Sequence, residues 1–319
     1  MVDMRTTVAA VTLPNPVLTA SGCAAAGREL DQFCDVSALG AVVTKSIMVR
    51  PRSGRSTPRM AETPSGMLNS IGLQGPGIDA FVAHDLAWLA ERGARVVVSI
   101  AGGHTDEYVA LTERVASHPA VSMIEVNISC PNVENRGQVF ACDPAASARV
   151  ISAVRRTAAD RVPVLAKLSP DVTDITVIAR ACADAGADGL SLINTLLGMA
   201  IDTDKMAPAL GGITGGLSGP AIRPVAVRCV WQVHRALPHL PILGMGGISS
   251  GLDALQFILA GASAVSVGTA VFGDPAAPMR VLAELEHALA DREFATLRDA
   301  VGYAHLAEDE RAGRIRVTV

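Results

Sequence analysis

Aromatic residues are scarce, at 3% of the 319 positions. The formal net charge is −4 and no basic run breaks the chain. A nucleic-acid binder needs a cationic footprint and stacking platforms, and neither is present. Charged residues make up only 18% against 50% hydrophobic, a balance that excludes a disordered chain. Long apolar runs are missing too: none approaches the roughly 18 uninterrupted residues of a membrane span. Met1 to Thr7 do not feed a charged segment into a long apolar run, so no secretory signal is expected. The cysteines, Cys23, Cys34, Cys130, Cys142, Cys182 and Cys229, form no C-x-x-C pair and have no histidine at ligand spacing. No metal site is expected, and the thiols should stay reduced. The expectation is a soluble, cytoplasmic protein with neither nucleic-acid nor membrane partners.

What the chain has in abundance is Ala, Val, Ile and Leu in two alternating rhythms. Short β-branched runs occur at 16–20, 41–45, 95–100, 122–127, 164–168, 189–193, 242–245 and 264–267. Between them lie amphipathic stretches of helical period at 78–91, 106–116, 144–158, 174–185, 221–237, 252–260 and 275–289. Strand and helix in strict alternation predict an α/β fold, a (β/α)8 TIM barrel, with a doubly wound open sheet as the alternative. No composition break divides the chain, so one domain over 1–319 is expected, ending in a polar tail at 305–319. The loops after the second and sixth strands, 46–77 and 194–219, exceed plain connections. Long loops at that end of a barrel usually serve as lids or binding walls.

In a barrel the residues ending each strand meet on one face. Here they are Ser21-Gly22, Thr44-Lys45-Ser46, Asn127 with Ser129-Cys130-Pro131-Asn132, Lys167, Asn194-Thr195, Gly246-Gly247 and Gly268-Thr269. A lysine at the end of an apolar strand either reaches solvent or meets an anionic or electron-rich ligand, because burying it unpaired is costly. Glycines after strands seven and eight are either turn residues or a backbone cradle for phosphate, which barrels commonly bind there. No strand–G-x-G-x-x-G–helix unit appears, so no dedicated dinucleotide site is evident. Cys130, fixed by the proline after it, offers a thiol for acid–base or nucleophilic work, with no histidine beside it in sequence.

Four segments together resemble class 1 dihydroorotate dehydrogenases: Asn127-Ile128-Ser129-Cys130-Pro131-Asn132, Asn69-Ser70-Ile71-Gly72-Leu73-Gln74, Thr44-Lys45-Ser46, and the run from Gly215 to Ile222. The resemblance runs in order over about 14–272. It implies an FMN-containing barrel that oxidises dihydroorotate to orotate in pyrimidine biosynthesis. It also implies Cys130 as the base for the C5 proton and Lys167 beside the flavin ring. Ser21, Lys45, Ser46, Asn127, Ile193, Gly219, Gly246, Gly247, Gly268 and Thr269 would complete the FMN site. Lys45, Asn69, Ser70, Ile71, Gly72, Leu73, Asn127, Asn132, Asn194 and Thr195 would bind the substrate.

Leu73-Gln74 and the run from Thr195 to Asp202 look like class 1B, whose barrels pass electrons to NAD+ through a second subunit carrying FAD and [2Fe-2S]. That subclass implies a barrel homodimer within a heterotetramer. Ser99 stands where an asparagine contact was expected, Gly75 replaces a common asparagine, and Glu134 to Gly137 are unusual after the cysteine motif. The rival readings are a dihydropyrimidine dehydrogenase-type barrel, a fumarate-dependent class 1A enzyme, and a non-catalytic phosphate-binding barrel.

Overall fold

The computed structural model describes residues 2–129 and 140–306. Eight parallel strands form one sheet: β1 (Val17–Thr19), β2 (Val42–Val43), β3 (Val96–Ile100), β4 (Val121–Asn127), β5 (Val164–Leu168), β6 (Gly189–Leu192), β7 (Ile242–Met245) and β8 (Ala264–Val267). Each strand hydrogen-bonds to its sequence neighbour from β2 round to β8, and β8 pairs with β1. A parallel bridge between Leu18 and Ala41 joins β1 to β2 and completes the circuit. This is the (β/α)8 barrel that the alternating rhythm predicts, and every expected strand lies where a β-branched run stood. Strands of a parallel barrel are covered on both faces, which is why they read as unbroken apolar runs.

Helices coat the outside, and their starts follow local capping chemistry. Asp143 accepts from Ala145 N at the head of Pro144–Ala158, with proline in the first turn. Asp174 does the same for Ile175–Asp184 through Thr176 N, and Ser250 for Gly251–Leu259 through Asp253 N. The helical segment 78–91 is not uniform: Phe81–Leu86 is a π-helical stretch between two α-helical pieces.

The barrel interior is sorted along its axis. At the strand N-terminal end, Leu18, Ala41, Val43, Val97, Met123, Leu165, Leu243 and Ala264 form an apolar cluster. An antiparallel hairpin, Thr6–Val8 with Val11–Leu13, adds Val8, Ala9 and Leu13 to that cluster and plugs the bottom. Two residues further along the inward face of β3, β4 and β5 stand Ser99, Glu125 and Lys167, all buried. Inward apolar residues therefore give way to inward polar ones toward the C-terminal end, where barrels carry their chemistry.

The two long loops leave that same end and are not irregular. Met60–Thr63 and Gly66–Asn69 pair as a hairpin, and Gly66–Asn69 pairs with Gly215–Ser218 of the other loop. With Leu196–Gly198 they make a four-stranded antiparallel sheet beside the barrel mouth. The tail beyond 306 lies outside the described residues, as does the Glu134–Gly137 stretch. Among the described residues no helix is long and apolar enough to cross a membrane.

Candidate active site

A chain of hydrogen bonds crosses the mouth of the barrel from β1 to β6. Lys167 Nζ, on β5, donates to Ser21 Oγ at 3.0 Å and lies 3.4 Å from Glu125 Oε1 on β4. Ser99 Oγ donates to the same Glu125 oxygen at 2.9 Å and sits 2.9 Å from Ser46 Oγ. Asn127 Nδ2 donates to Ser46 Oγ at 3.0 Å, and Asn194 Nδ2 donates to Asn127 Oδ1 at 3.2 Å. Thr195 N then closes onto Asn194 Oδ1 at 2.8 Å. Thr195 leaves no room for a side chain at Gly216, whose carbonyl accepts from Asn69 Nδ2 at 3.2 Å. Seven residues expected only from strand ends and loop motifs thus fall into one connected set, Ser21, Ser46, Asn69, Asn127, Lys167, Asn194 and Thr195, joined by Ser99, for which no contact was expected.

Lys45 and Cys23 enter the same space. The Cys23 thiol is pushed up to about 11, first by burial, against the opposing pull of Lys167 and then Lys45. Both ammonium groups therefore lie within electrostatic reach of the Cys23 thiol. Lys45 also lines a cavity of about 410 Å³ with Ile47, Arg52, Gln74 and Phe81.

The glycines pack as a cradle. Gly247 has φ of +74°, and a Cβ there would meet the Gly219 carbonyl oxygen at 2.6 Å. Gly219 in turn packs on Gly66, where a Cβ would come within 2.8 Å of the Gly66 Cα. Arg223 fixes the β7 loop by donating to Gly247 O at 3.2 Å and pairing with Asp253 Oδ1 at 2.7 Å. The helix after this loop does not present its N-terminus to a ligand: Ser250 caps it and Glu284 accepts from Gly251 N at 2.7 Å. Gly246 and Gly247 put no side chains of their own over this loop's backbone, and Gly268 and Thr269 follow the neighbouring strand β8. Gly268 sits against Ala20 and Cys23, which ties it to the lysine pair.

Some expected residues are less directly joined. Ser70 Oγ accepts from Arg55 Nη1 at 3.4 Å, and Ile71 O accepts from Arg55 N at 3.0 Å, so this stretch leans on its own loop. Gly72 and Leu73 both take left-handed backbone, φ +76° and +55°. For leucine that conformation is strained, and such strain gathers at functional loops. Ile193 is buried, with its N–H on Met245 O at 3.1 Å. Cys130 and Asn132 lie outside the described residues.

The family profile described as dihydroorotate dehydrogenase matches residues 3–289. The chain belongs to the dihydroorotate dehydrogenase family. It is 51% identical over 300 residues to the protein of Geobacter sulfurreducens named dihydroorotate dehydrogenase B (NAD(+)), catalytic subunit, covering 94% of this chain and 97% of that one. The protein of the same name from Pelobacter propionicus is 52% identical over 300 residues, covering 94% and 98%. That of Desulforudis audaxviator is 51% identical over 298 residues, covering 93% and 96%.

A dihydroorotate dehydrogenase barrel has to hold a flavin mononucleotide, and the donor set here suits one. Lysines, hydroxyls and amides gather at the barrel mouth, with close-packed glycines beside them whose exposed backbone is of the kind that accommodates a phosphate. Sequence reading missed Glu125, which sits at the centre of the network. Its signal was present: a glutamate inside an apolar strand, two residues before Asn127 and so on the same face of β4. Ser99 was read only as a lost contact, whereas it bridges Glu125 to Ser46.

Proposed function

We propose that this chain is the FMN-binding catalytic component that oxidises (S)-dihydroorotate to orotate in pyrimidine biosynthesis. The observation that carries the reading is the single network joining Lys167, Asn127 and Asn194, in a chain half-identical to proteins named for that reaction. Ser21, Lys45, Ser46, Asn127, Lys167, Ile193, Gly219, Gly246, Gly247, Gly268 and Thr269 hold FMN. When bound, FMN supplies the acceptor for the hydride that leaves C6 of the substrate. Lys167 contributes positive charge beside the ring, where negative charge grows during the reaction.

The substrate is an anion with two ring amides. Lys45, Asn69 and Ser70 with the Ile71–Leu73 backbone receive its carboxylate side. Asn127, Asn132, Asn194 and Thr195 match its amides, since an asparagine both donates and accepts. A dihydropyrimidine lacks the carboxylate and would forgo the charge-assisted contacts that Lys45, Asn69 and the Ile71–Leu73 backbone offer an anion, which is the basis for preferring dihydroorotate. Cys130 takes the C5 proton; a thiol has an ordinary pKa of about 8.5, close enough to neutrality for a general base. The name of the relatives speaks of a catalytic subunit and NAD+. By extension this chain works as one barrel domain in the cytoplasm, homodimeric within a heterotetramer whose second subunit carries FAD and [2Fe-2S] to NAD+.

The test is a Cys130→Ala variant loaded with FMN. Rapid mixing with dihydroorotate should show flavin reduction slowed by roughly 10²- to 10⁴-fold, the range general bases supply, with orotate still perturbing the flavin spectrum. Reduction at the unaltered rate would remove Cys130 as the base.

A further inference from the structure

Glu125 is given no chemical role above, although the network that joins Lys167 to Asn127 runs through it. It is fully buried on the inner face of β4. Its Oε1 accepts from Ser99 Oγ at 2.9 Å and faces Lys167 Nζ at 3.4 Å, while Oε2 has no hydrogen-bond partner. A buried carboxylate with an orphaned oxygen is costly, and a buried ion pair is weak evidence for stability, because apolar replacement is often neutral or better. Stability alone therefore gives no reason for Glu125. Its geometry points at Lys167, a residue only 4% exposed whose ammonium is held between Glu125 on one side and Ser21 Oγ on the other. Among the described residues, Cys23 on the loop after β1 feels the charges of both Lys167 and Lys45.

We propose that Glu125 is a positioning residue for Lys167, fixing its ammonium and setting how strongly the site prefers reduced over oxidised flavin. The inference rests on FMN being the group beside Lys167. Reduction leaves negative charge on the flavin ring. Lys167 attracts that charge and Glu125 repels it, so the pair acts on the ring as a dipole rather than as a full cation. In a water-poor interior both effects are larger than in solvent. Glu125 thus weakens the preference for the reduced form and lets electrons leave the site more readily. Through Ser99 and Ser46 the same carboxylate is linked to Asn127, which stands on the substrate side.

The test uses FMN-loaded protein with Glu125→Gln, which keeps the shape and an acceptor for Ser99 but removes the charge. The readouts are the flavin midpoint potential at neutral pH, by equilibration with a reference dye, and the dissociation constant of oxidised FMN. The variant should favour reduced flavin on the order of tenfold more than wild type. For a two-electron couple that is an upward shift of about 30 mV. Ser99→Ala, which frees the carboxylate to close on Lys167, should move the potential the other way by a few-fold. A flavin-loaded Glu125→Gln protein whose potential is unchanged or lower overturns the proposal. If that variant does not fold, an unchanged potential in Ser99→Ala overturns it instead. A wild-type chain that takes up no FMN would overturn the functional reading beneath it, a separate and distinguishable failure.

Discussion

Burial and charge compete at Cys23, and burial wins. Two lysines pull its thiol down, yet desolvation pushes it up to about 11, so at neutral pH it stays protonated. A cationic neighbourhood is therefore insufficient to make a nucleophile in this barrel. At His234, on the helix Arg223–Ala236, burial and charge act in the same direction. Burial first, and His305 second, hold its pKa below the ordinary 6.5. His305 itself stacks on Trp231 with ring centroids 3.6 Å apart and lies 4.9 Å from His234. Because the folded state binds the proton less readily than the unfolded chain, His234 contributes stability that is complete above the unfolded pKa. That contribution is lost as the pH falls through about 6.5 toward the folded value. Thermal unfolding followed at pH 7.5 and 5.5 should show a lower midpoint in acid. Part of that drop should disappear in His234→Gln; an identical drop would show that other groups carry it. Residues of this kind divide by how they announce themselves. Lys45, Lys167 and Asn127 were legible because they end apolar strands, where their types are out of place. Glu125 broke the same rule in mid-strand, but its meaning depends on Ser99 and Lys167, which only the closed barrel brings to it.

Among the elements, β1 and β2 form the thinnest seam. A single bridge joins them, and the side chain of Thr19 does the work of a further rung. Its Oγ1 donates to Val43 O at 3.2 Å and accepts from Val43 N at 2.9 Å. Thr19 is fully buried, so no solvent would replace those bonds. Thr19→Val keeps the volume but strands a buried N–H and C=O. The expected cost is about 1–3 kcal/mol, read as a lower midpoint in denaturant with the slope unchanged. A midpoint within error of wild type would mean the seam does not depend on this hydroxyl. The eight barrel strands, some as short as the two residues of β2, were readable as buried apolar runs, and the main helices between them were long enough to show their period. The hairpin at 6–13 and the sheet shared by the two long loops were not. Their strands are three or four residues long, and Gly215–Ser218 carries two glycines, so no alternation of apolar and polar residues can emerge.

At the level of the whole molecule, one end of the barrel is built to be closed and the other to react. The hairpin and the apolar cluster fill the N-terminal end, while the polar residues of β2 to β6 and both long loops gather at the C-terminal end. Function was legible in the sequence through motifs spread from Thr44 to Ile222, and the fold accounts for that scatter, since each motif lies at a strand end or in a loop that leaves the same end of the barrel. The central claim is that this chain, without another subunit, passes electrons from dihydroorotate to its own flavin and has no site for NADH. The most direct measurement is an anaerobic titration of the purified, FMN-loaded chain, following the flavin absorption band. Dihydroorotate should bleach it, while dihydrouracil and NADH should not. A band that dihydroorotate leaves intact, or that NADH bleaches equally well, would contradict the account.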